Sequence, residues 1–118
     1  MSFRIREMMF TLGFALLSTH AQAQHSGVYE GQEWLTMDPG KGNCGLGKVR
    51  VEVSETTLRL KRIRDPKTYK LPVTWNGDAF SGEANGGFSL RGHIDGDRML
   101  WDMQGVWCAW HYDLRRTE

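Results

Sequence analysis

The sequence predicts an all-β fold, a small antiparallel meander of about eight strands closed into a barrel. Apolar and polar residues alternate with a period of two in most segments from Val28 onward, which is typical of strands with one buried face. Turn-forming pairs such as Asn76-Gly77 and Asp95-Gly96 separate these segments at intervals of roughly 8–12 residues. No later segment shows a helical period over three turns.

The predicted strands follow one another along the chain. They span residues 28–37, 48–54, 57–64, 69–75, 78–84, 88–94, 99–104 and 106–114. In the first strand the alternation is imperfect, and Tyr29 and Trp34 are the expected anchors. The second alternates cleanly, with valines on its buried face. In the third, Leu58 and Leu60 face inward and the outer face is basic. His25 and Ser26 are expected to form a frayed start.

The later strands keep the same period. Pro72 in the fourth strand lacks an N–H donor, which predicts an edge or an irregular pairing there. Glycine-containing turns connect the fifth, sixth and seventh strands. The eighth strand has the clearest pattern, and the residues expected on its buried face are Val106, Cys108, Trp110, Tyr112 and Leu114.

Residues 1–23 have the features of a secretory signal peptide. Two arginines precede the apolar run 8–17, which is shorter than the about 20 residues that a membrane span needs. Ala21-Gln22-Ala23 matches a signal-peptide cleavage site. We therefore expect a periplasmic or secreted protein whose residues 24–118 form a single all-β domain. The alternative is an uncleaved anchor or a buried helix.

Cys44 and Cys108 are the two cysteines of the chain, and in an exported domain they most often pair. A bond between them would hold the end of the first strand close to the last strand. That proximity favours closure into a barrel, which removes exposed strand edges. The alternatives are two free thiols or a metal site for the cysteines, and a two-sheet sandwich for the fold.

The sequence supports no catalytic residue, metal site or cofactor. Residues 40–45 fit G-x-G-x-x-G, and residues 42–48 fit G-x-x-x-x-G-K, but a strand follows where a phosphate-binding loop needs a helix. No G-x-S-x-G elbow is present. The acidic pairs, including Glu30 and Glu33, are assigned to turns or to exposed positions. We therefore expect a protein that is not an enzyme.

Charge and aromatic residues supply the candidate binding positions. Without residues 1–23 the chain has equal numbers of basic and acidic side chains, so net charge indicates no nucleic-acid partner. A local basic cluster stands out, formed by Arg59, Lys61, Arg62, Arg64, Lys67 and Lys70.

Arg62 and Arg64 share the parity of the buried leucines, and we place them at the barrel rim because an unpaired arginine rarely points into a core. The cluster predicts contact with an anionic envelope surface or an acidic protein. Its alternative roles are protection of a strand edge and solubility.

Trp107 and His111 lie on the outward parity of the last strand, which makes them a second candidate contact for a partner. The alternative is that the rim or a loop covers Trp107. Trp75, Trp101 and Trp110 have core parity. They pack a filled core or, alternatively, line a ligand cavity.

The spacing Phe88-x-Leu90-x-Gly92-x-Ile94-x-Gly96, followed by Gly105-x-x-Cys108, resembles that of small exported proteobacterial proteins with two cysteines and a β meander. Most of those proteins have no assigned function, so the resemblance implies the fold and the export but no site residue. The general layout is also similar to periplasmic lysozyme inhibitors and avidin-like barrels, without their binding motifs.

We therefore expect an exported, non-enzymatic binding or inhibitor module of the cell envelope. The alternative is a carrier of a small apolar ligand in a Trp-lined barrel cavity, and an enzyme is a more distant alternative. The sequence does not indicate the oligomeric state.

Overall fold

One antiparallel sheet of nine strands curls into a nearly closed barrel. The computed structural model describes residues 25–37 and 44–117. The strands are β1 (Gly27–Met37), β2 (Lys48–Val53), β3 (Thr57–Arg62), β4 (Thr68–Pro72), β5 (Thr74–Asn76), β6 (Ala79–Ala84), β7 (Phe88–Asp95), β8 (Arg98–Gln104) and β9 (Ala109–Arg116). The predicted signal peptide and its cleavage site lie outside the described residues.

The strand order is β4-β3-β2-β1-β9-β8-β7-β6-β5. Consecutive strands lie side by side, as expected for a meander, except β4 and β5. β1 and β9 pair along most of their length, with Gly31 opposite Leu114 and Trp34 opposite His111. The prediction that the first and last strands meet is therefore confirmed. A single continuous sheet also excludes the two-sheet sandwich.

The predicted fourth strand is divided at Val73, which raises the number of strands from eight to nine. β4 pairs with β3 as far as Pro72, opposite Thr57. β5 pairs with β6, with Thr74 opposite Ser81. β4 and β5 are the two ends of the sheet order, so the division leaves a seam in the barrel wall. The irregular pairing expected at Pro72 is present at this point.

Large apolar side chains fill the barrel. Trp101 is 1% exposed, and its ring stacks on that of Tyr112 at 3.9 Å between centroids. Phe80 also packs against Trp101, with 6.4 Å between the ring centroids. The buried hydrophobic residues alternate along the strands, as the period of two predicted, and Val49, Val51, Leu58 and Leu60 are almost completely buried.

Several assignments of individual side chains were wrong. Trp34, expected as an anchor, faces outward and is 58% exposed, because the inner parity of β1 belongs to Tyr29 and Glu33. Val106 is 65% exposed, because the last strand begins only at Ala109. His25 is buried and not frayed. Its ring stacks on Trp75, and its Nε2 lies 2.8 Å from Asp78 Oδ1.

Among the described residues, the structure contains no helix with the length and apolar character needed to cross a membrane.

Candidate binding surface at the disulfide end

The disulfide lies at one end of the barrel, which we call the disulfide end. Cys44 and Cys108 are bonded, with 5.8 Å between their Cα atoms, as predicted. The bond joins the segment before β2 to the segment before β9. The turns between β3 and β4 and between β6 and β7 lie at the same end, because the registers of all the hairpins place them there.

A buried ion pair lies just inside the disulfide end. Arg62 donates from Nε and Nη2 to the two carboxylate oxygens of Glu33, at 2.7 and 2.9 Å. The hydroxyl of Tyr112 donates to Glu33 Oε2 at 2.7 Å. The Glu33 side chain is fully buried and that of Arg62 is 14% exposed. Such a bidentate pair is among the stronger charge-assisted arrangements.

This pair corrects two predictions. Glu33 was assigned to an exposed position, and Arg62 was placed at the rim because nothing in the sequence supplied a buried partner. Each residue is the partner that the other requires, since a buried charge is tolerated when it is paired and hydrogen-bonded. Parity could have identified the buried pair, because each residue is a charged residue on the inner face of its strand.

Two aromatic rings, those of Tyr69 and Trp110, lie near the Arg62 guanidinium. Its Cζ atom lies 5.7 Å from the ring centroids of both Tyr69 and Trp110, within cation–π range. Trp110 Nε1 donates to the Gly45 carbonyl at 2.7 Å. Gly45 has no side chain, and a Cβ atom there would lie 2.8 Å from Arg62 Cζ. Glycine at this position lets the loop after the disulfide approach the guanidinium.

The environment changes the protonation properties of two members of the network. Burial opposes the charge of Arg62, but the hydrogen bonds and the negative charge of Glu33 outweigh it and raise the Arg62 pKa above its ordinary value. Burial, followed by the charge of Glu33, raises the Tyr112 pKa well above its usual range. Tyr112 therefore remains a hydrogen-bond donor to Glu33 at neutral pH.

A cleft of about 570 Å³ opens from the disulfide end along the seam between β4 and β6. Its floor is apolar and is formed by Leu60, Leu71, Phe88, Met103 and Trp110. All five residues of β4 line one side, and Glu83, Ala84 and Asn85 line the other. The volume is within the range of about 300–1,000 Å³ that is common for ligand sites.

The outer face of β2, β3 and β4 forms what we call the basic wall. Its exposed basic side chains are Lys48, Arg50, Arg59, Lys61 and Lys70. Arg59 lies directly opposite Lys70, and Arg50 lies directly opposite Lys61. Glu52, opposite Arg59, is the acidic residue on this face of the three strands. Three predicted residues, Arg59, Lys61 and Lys70, are therefore brought together here.

The other predicted basic residues occupy different places. Arg64 and Lys67 are exposed in the turn between β3 and β4, at the disulfide end, while Arg62 faces inward. Exposed apolar side chains surround the same end. We call them the apolar rim, and they are Met37, Leu46, Ile63, Tyr69, Val106 and Trp107.

Trp107 and His111 do not form the single outward row that was expected. Trp107 is 72% exposed, in the bend that precedes β9. His111 is half-buried on the outer face of β9, where its Nδ1 lies 2.8 Å from Asp102 Oδ1. Its cross-strand neighbour is the exposed Trp34. Trp107 therefore belongs to the apolar rim, and His111 belongs to the barrel wall formed by β1, β8 and β9.

Comparisons with models of known protein families, with curated proteins and with solved structures found no match. The similarity to small exported proteobacterial meander proteins therefore stays a prediction.

Proposed function

We propose that the chain is an exported, non-enzymatic binding or inhibitor module that uses its basic wall and the adjoining disulfide end to bind an anionic partner of the cell envelope. The observation that carries this proposal is that Arg59 and Lys70, which carry like charges, lie directly opposite each other, with Lys61 on the same exposed face. Like charges directly opposite each other destabilise a sheet. An anionic partner would offset that cost on binding.

Protection of a strand edge does not account for the whole wall. Lysines on an edge strand discourage pairing between sheets, and Lys70 on β4 fits that role. Arg50 lies on β2 and Arg59 and Lys61 lie on β3, and both strands are paired on each side. Charges on these interior strands protect no edge, so a binding role is the better explanation.

The carrier is the second candidate, and the cleft favours it because Trp110 and other apolar residues line its floor. The filled centre of the barrel weighs against it. Trp101 and Tyr112 stack on each other inside the barrel, and both are almost fully buried. Surface binding is therefore the function that we favour.

Reversal of the wall charges tests the proposal. Wild-type protein should adsorb to vesicles that contain an anionic phospholipid or to polyglutamate. Adsorption should weaken with salt, because the screening length falls from about 10 Å at 0.1 M to about 3 Å at 1 M. The double variant Arg59→Glu/Lys61→Glu should lose adsorption while its circular dichroism stays that of the folded protein.

The matched control is Arg91→Glu/Arg115→Glu, which changes net charge equally at exposed positions of β7 and β9. It should retain most of the adsorption. Absence of wild-type adsorption to both probes at low salt would overturn the proposal, and so would equal losses in the two double variants.

A further inference from the structure

We infer that the cleft binds an extended acidic segment of a partner protein, which adds to the open edge of β4 as a further strand. The inference rests on the proposed function, because the basic wall beside β4 supplies the preference for acidic side chains. It goes further by naming the kind of partner and the backbone groups that would bind it.

β4 presents its backbone edge to the cleft. It is the last strand in the sheet order, and among the described residues no backbone hydrogen bond joins it to β6. Thr68, Lys70 and Pro72 have the opposite parity to Tyr69 and Leu71, yet all five line the cleft. Because residues on both faces of β4 line the cleft, the cleft borders the backbone edge of this strand.

The hydrogen-bond pattern identifies which groups are available. Val73 N donates to Thr56 O at 2.9 Å, so this opposed pair continues the β3–β4 ladder. Opposed pairs in an antiparallel ladder alternate between bonded and non-bonded. Tyr69 and Leu71 therefore bond to β3, and the N–H and C=O groups of Thr68 and Lys70 point toward the cleft.

The cleft is closed at one end. There β6 touches β4, where a Cβ atom on Gly82 would collide with the Pro72 carbonyl oxygen and lie 3.3 Å from Val73 Cα. Nearer the disulfide end the cleft lies between β4 and residues Glu83, Ala84 and Asn85, and no ladder joins the two strands there. A strand added to β4 would lie about 4.7–4.9 Å from it, within this cleft.

Side chains around the edge determine which sequence fits. Alternate residues of an added strand would point down to the apolar floor formed by Leu60, Phe88 and Trp110. The residues between them would point outward beside Lys70, whose next neighbour on the wall is Arg59. The segment should therefore alternate apolar and acidic residues. Glu83, exposed on β6 at the far side of the cleft, opposes this preference, whereas Lys70 and Arg59 on the near side favour it.

A peptide of alternating glutamate and valine, with blocked ends, tests the inference by amide hydrogen exchange measured by NMR. Without peptide, the Thr68 and Lys70 amides should exchange rapidly and those of Tyr69 and Leu71 slowly. Peptide should protect Thr68 and Lys70, because their N–H groups gain acceptors. The same peptide methylated on every backbone nitrogen keeps its charge but cannot donate, and it should bind at least about tenfold more weakly.

Variants at the cleft separate this inference from the proposed function. Ala84→Phe fills the cleft without a change of charge, whereas Ala79→Phe places the same ring at an exposed position of the same strand, outside the cleft. Ala84→Phe should abolish peptide binding and retain adsorption to anionic vesicles or polyglutamate. Ala79→Phe should retain both.

Three results would overturn the inference. One is peptide binding without protection of Thr68 and Lys70, or equal binding of the methylated peptide, because the contact would then be ionic only. Another is protection that depends on protein concentration in the absence of peptide, since a second copy of this chain would then occupy the edge. The third is no peptide binding by a protein that still adsorbs to anionic vesicles, in which case the proposed function stands alone.

Discussion

At the scale of single residues, Glu33 and Arg62 are the most informative part of the structure. Both are charged residues on the inner faces of their strands, and each satisfies the other together with Tyr112. Buried pairs of this kind contribute little net stability compared with apolar packing, but the loss of one partner leaves an uncompensated buried charge. Replacement of one partner alone should therefore lower the free energy of unfolding much more than replacement of both.

Glu33→Gln should lower the free energy of unfolding by about 3–5 kcal/mol, because it leaves the Arg62 charge without its carboxylate. The triple variant Glu33→Leu/Arg62→Met/Tyr112→Phe, which also removes the hydroxyl that donates to Glu33, should recover most of the loss. Urea unfolding at pH 7 measures both.

The matched control is the pair Arg98 and Asp113, which has the same two-bond geometry at 2.9 and 2.8 Å but is half-exposed. Asp113→Asn should cost much less than Glu33→Gln, because solvent screens an exposed ion pair. Equal losses for Glu33→Gln and Asp113→Asn would contradict this account of burial.

At the scale of the strands, the seam is the feature that departs from a regular meander. β4 ends at Pro72, and Gly82 allows β6 to lie against this end of the strand. The barrel wall is therefore held at one end of the seam by a backbone contact that only a residue without a side chain permits.

Gly82→Ala should destabilise the fold by about 1–3 kcal/mol, because the added methyl group collides with the Pro72 carbonyl oxygen and forces β4 and β6 apart. Gly47→Ala is the control, since a Cβ atom there meets nothing within 4 Å. It should change stability by no more than about 0.5 kcal/mol. Thermal unfolding compares the two, and a neutral Gly82→Ala would show that the seam adjusts freely.

The strands could be predicted from sequence because their signal is local. A period of two and a turn pair such as Asn76-Gly77 are read over a few residues, and both specify a hairpin. The seam could not be predicted in full. Pro72 indicated an irregularity, but the separation of β4 from β6 depends on how the whole sheet curves, and no local pattern records that.

The candidate site could also be predicted only in part from the sequence. Parity alone places Arg59 and Lys61 on an outer surface, whereas Lys70 joins them through the register between β3 and β4. Arg62 was misplaced because its partner, Glu33, lies 29 positions away in the sequence. Parity identifies a buried charge, but only the register between β1, β2 and β3 brings the opposite charge to it.

At the scale of the whole molecule, the disulfide connects parts of the chain that are 64 positions apart. Both ends of the bond lie next to strands that take part in the β1–β9 or β1–β2 pairing. The bond therefore restricts the unfolded chain across most of the domain.

Cys44→Ser/Cys108→Ser should lower the free energy of unfolding by an amount on the order of 4 kcal/mol, because the loop that the bond closes is long. Chemical unfolding with and without a reductant measures the loss. In the double variant the reductant should have no further effect. A wild-type protein whose unfolding midpoint is unchanged by full reduction would contradict the prediction.

The pairing of β1 with β9 also has a kinetic consequence. Every other ladder in the sheet joins consecutive strands, so the contacts with the largest sequence separation lie in this one interface. The hairpins are formed locally, whereas β1 and β9 meet only after the longest loop has closed. Until then the nascent sheet exposes two additional edges, and an early bond between Cys44 and Cys108 would shorten the time for which those edges are open to aggregation.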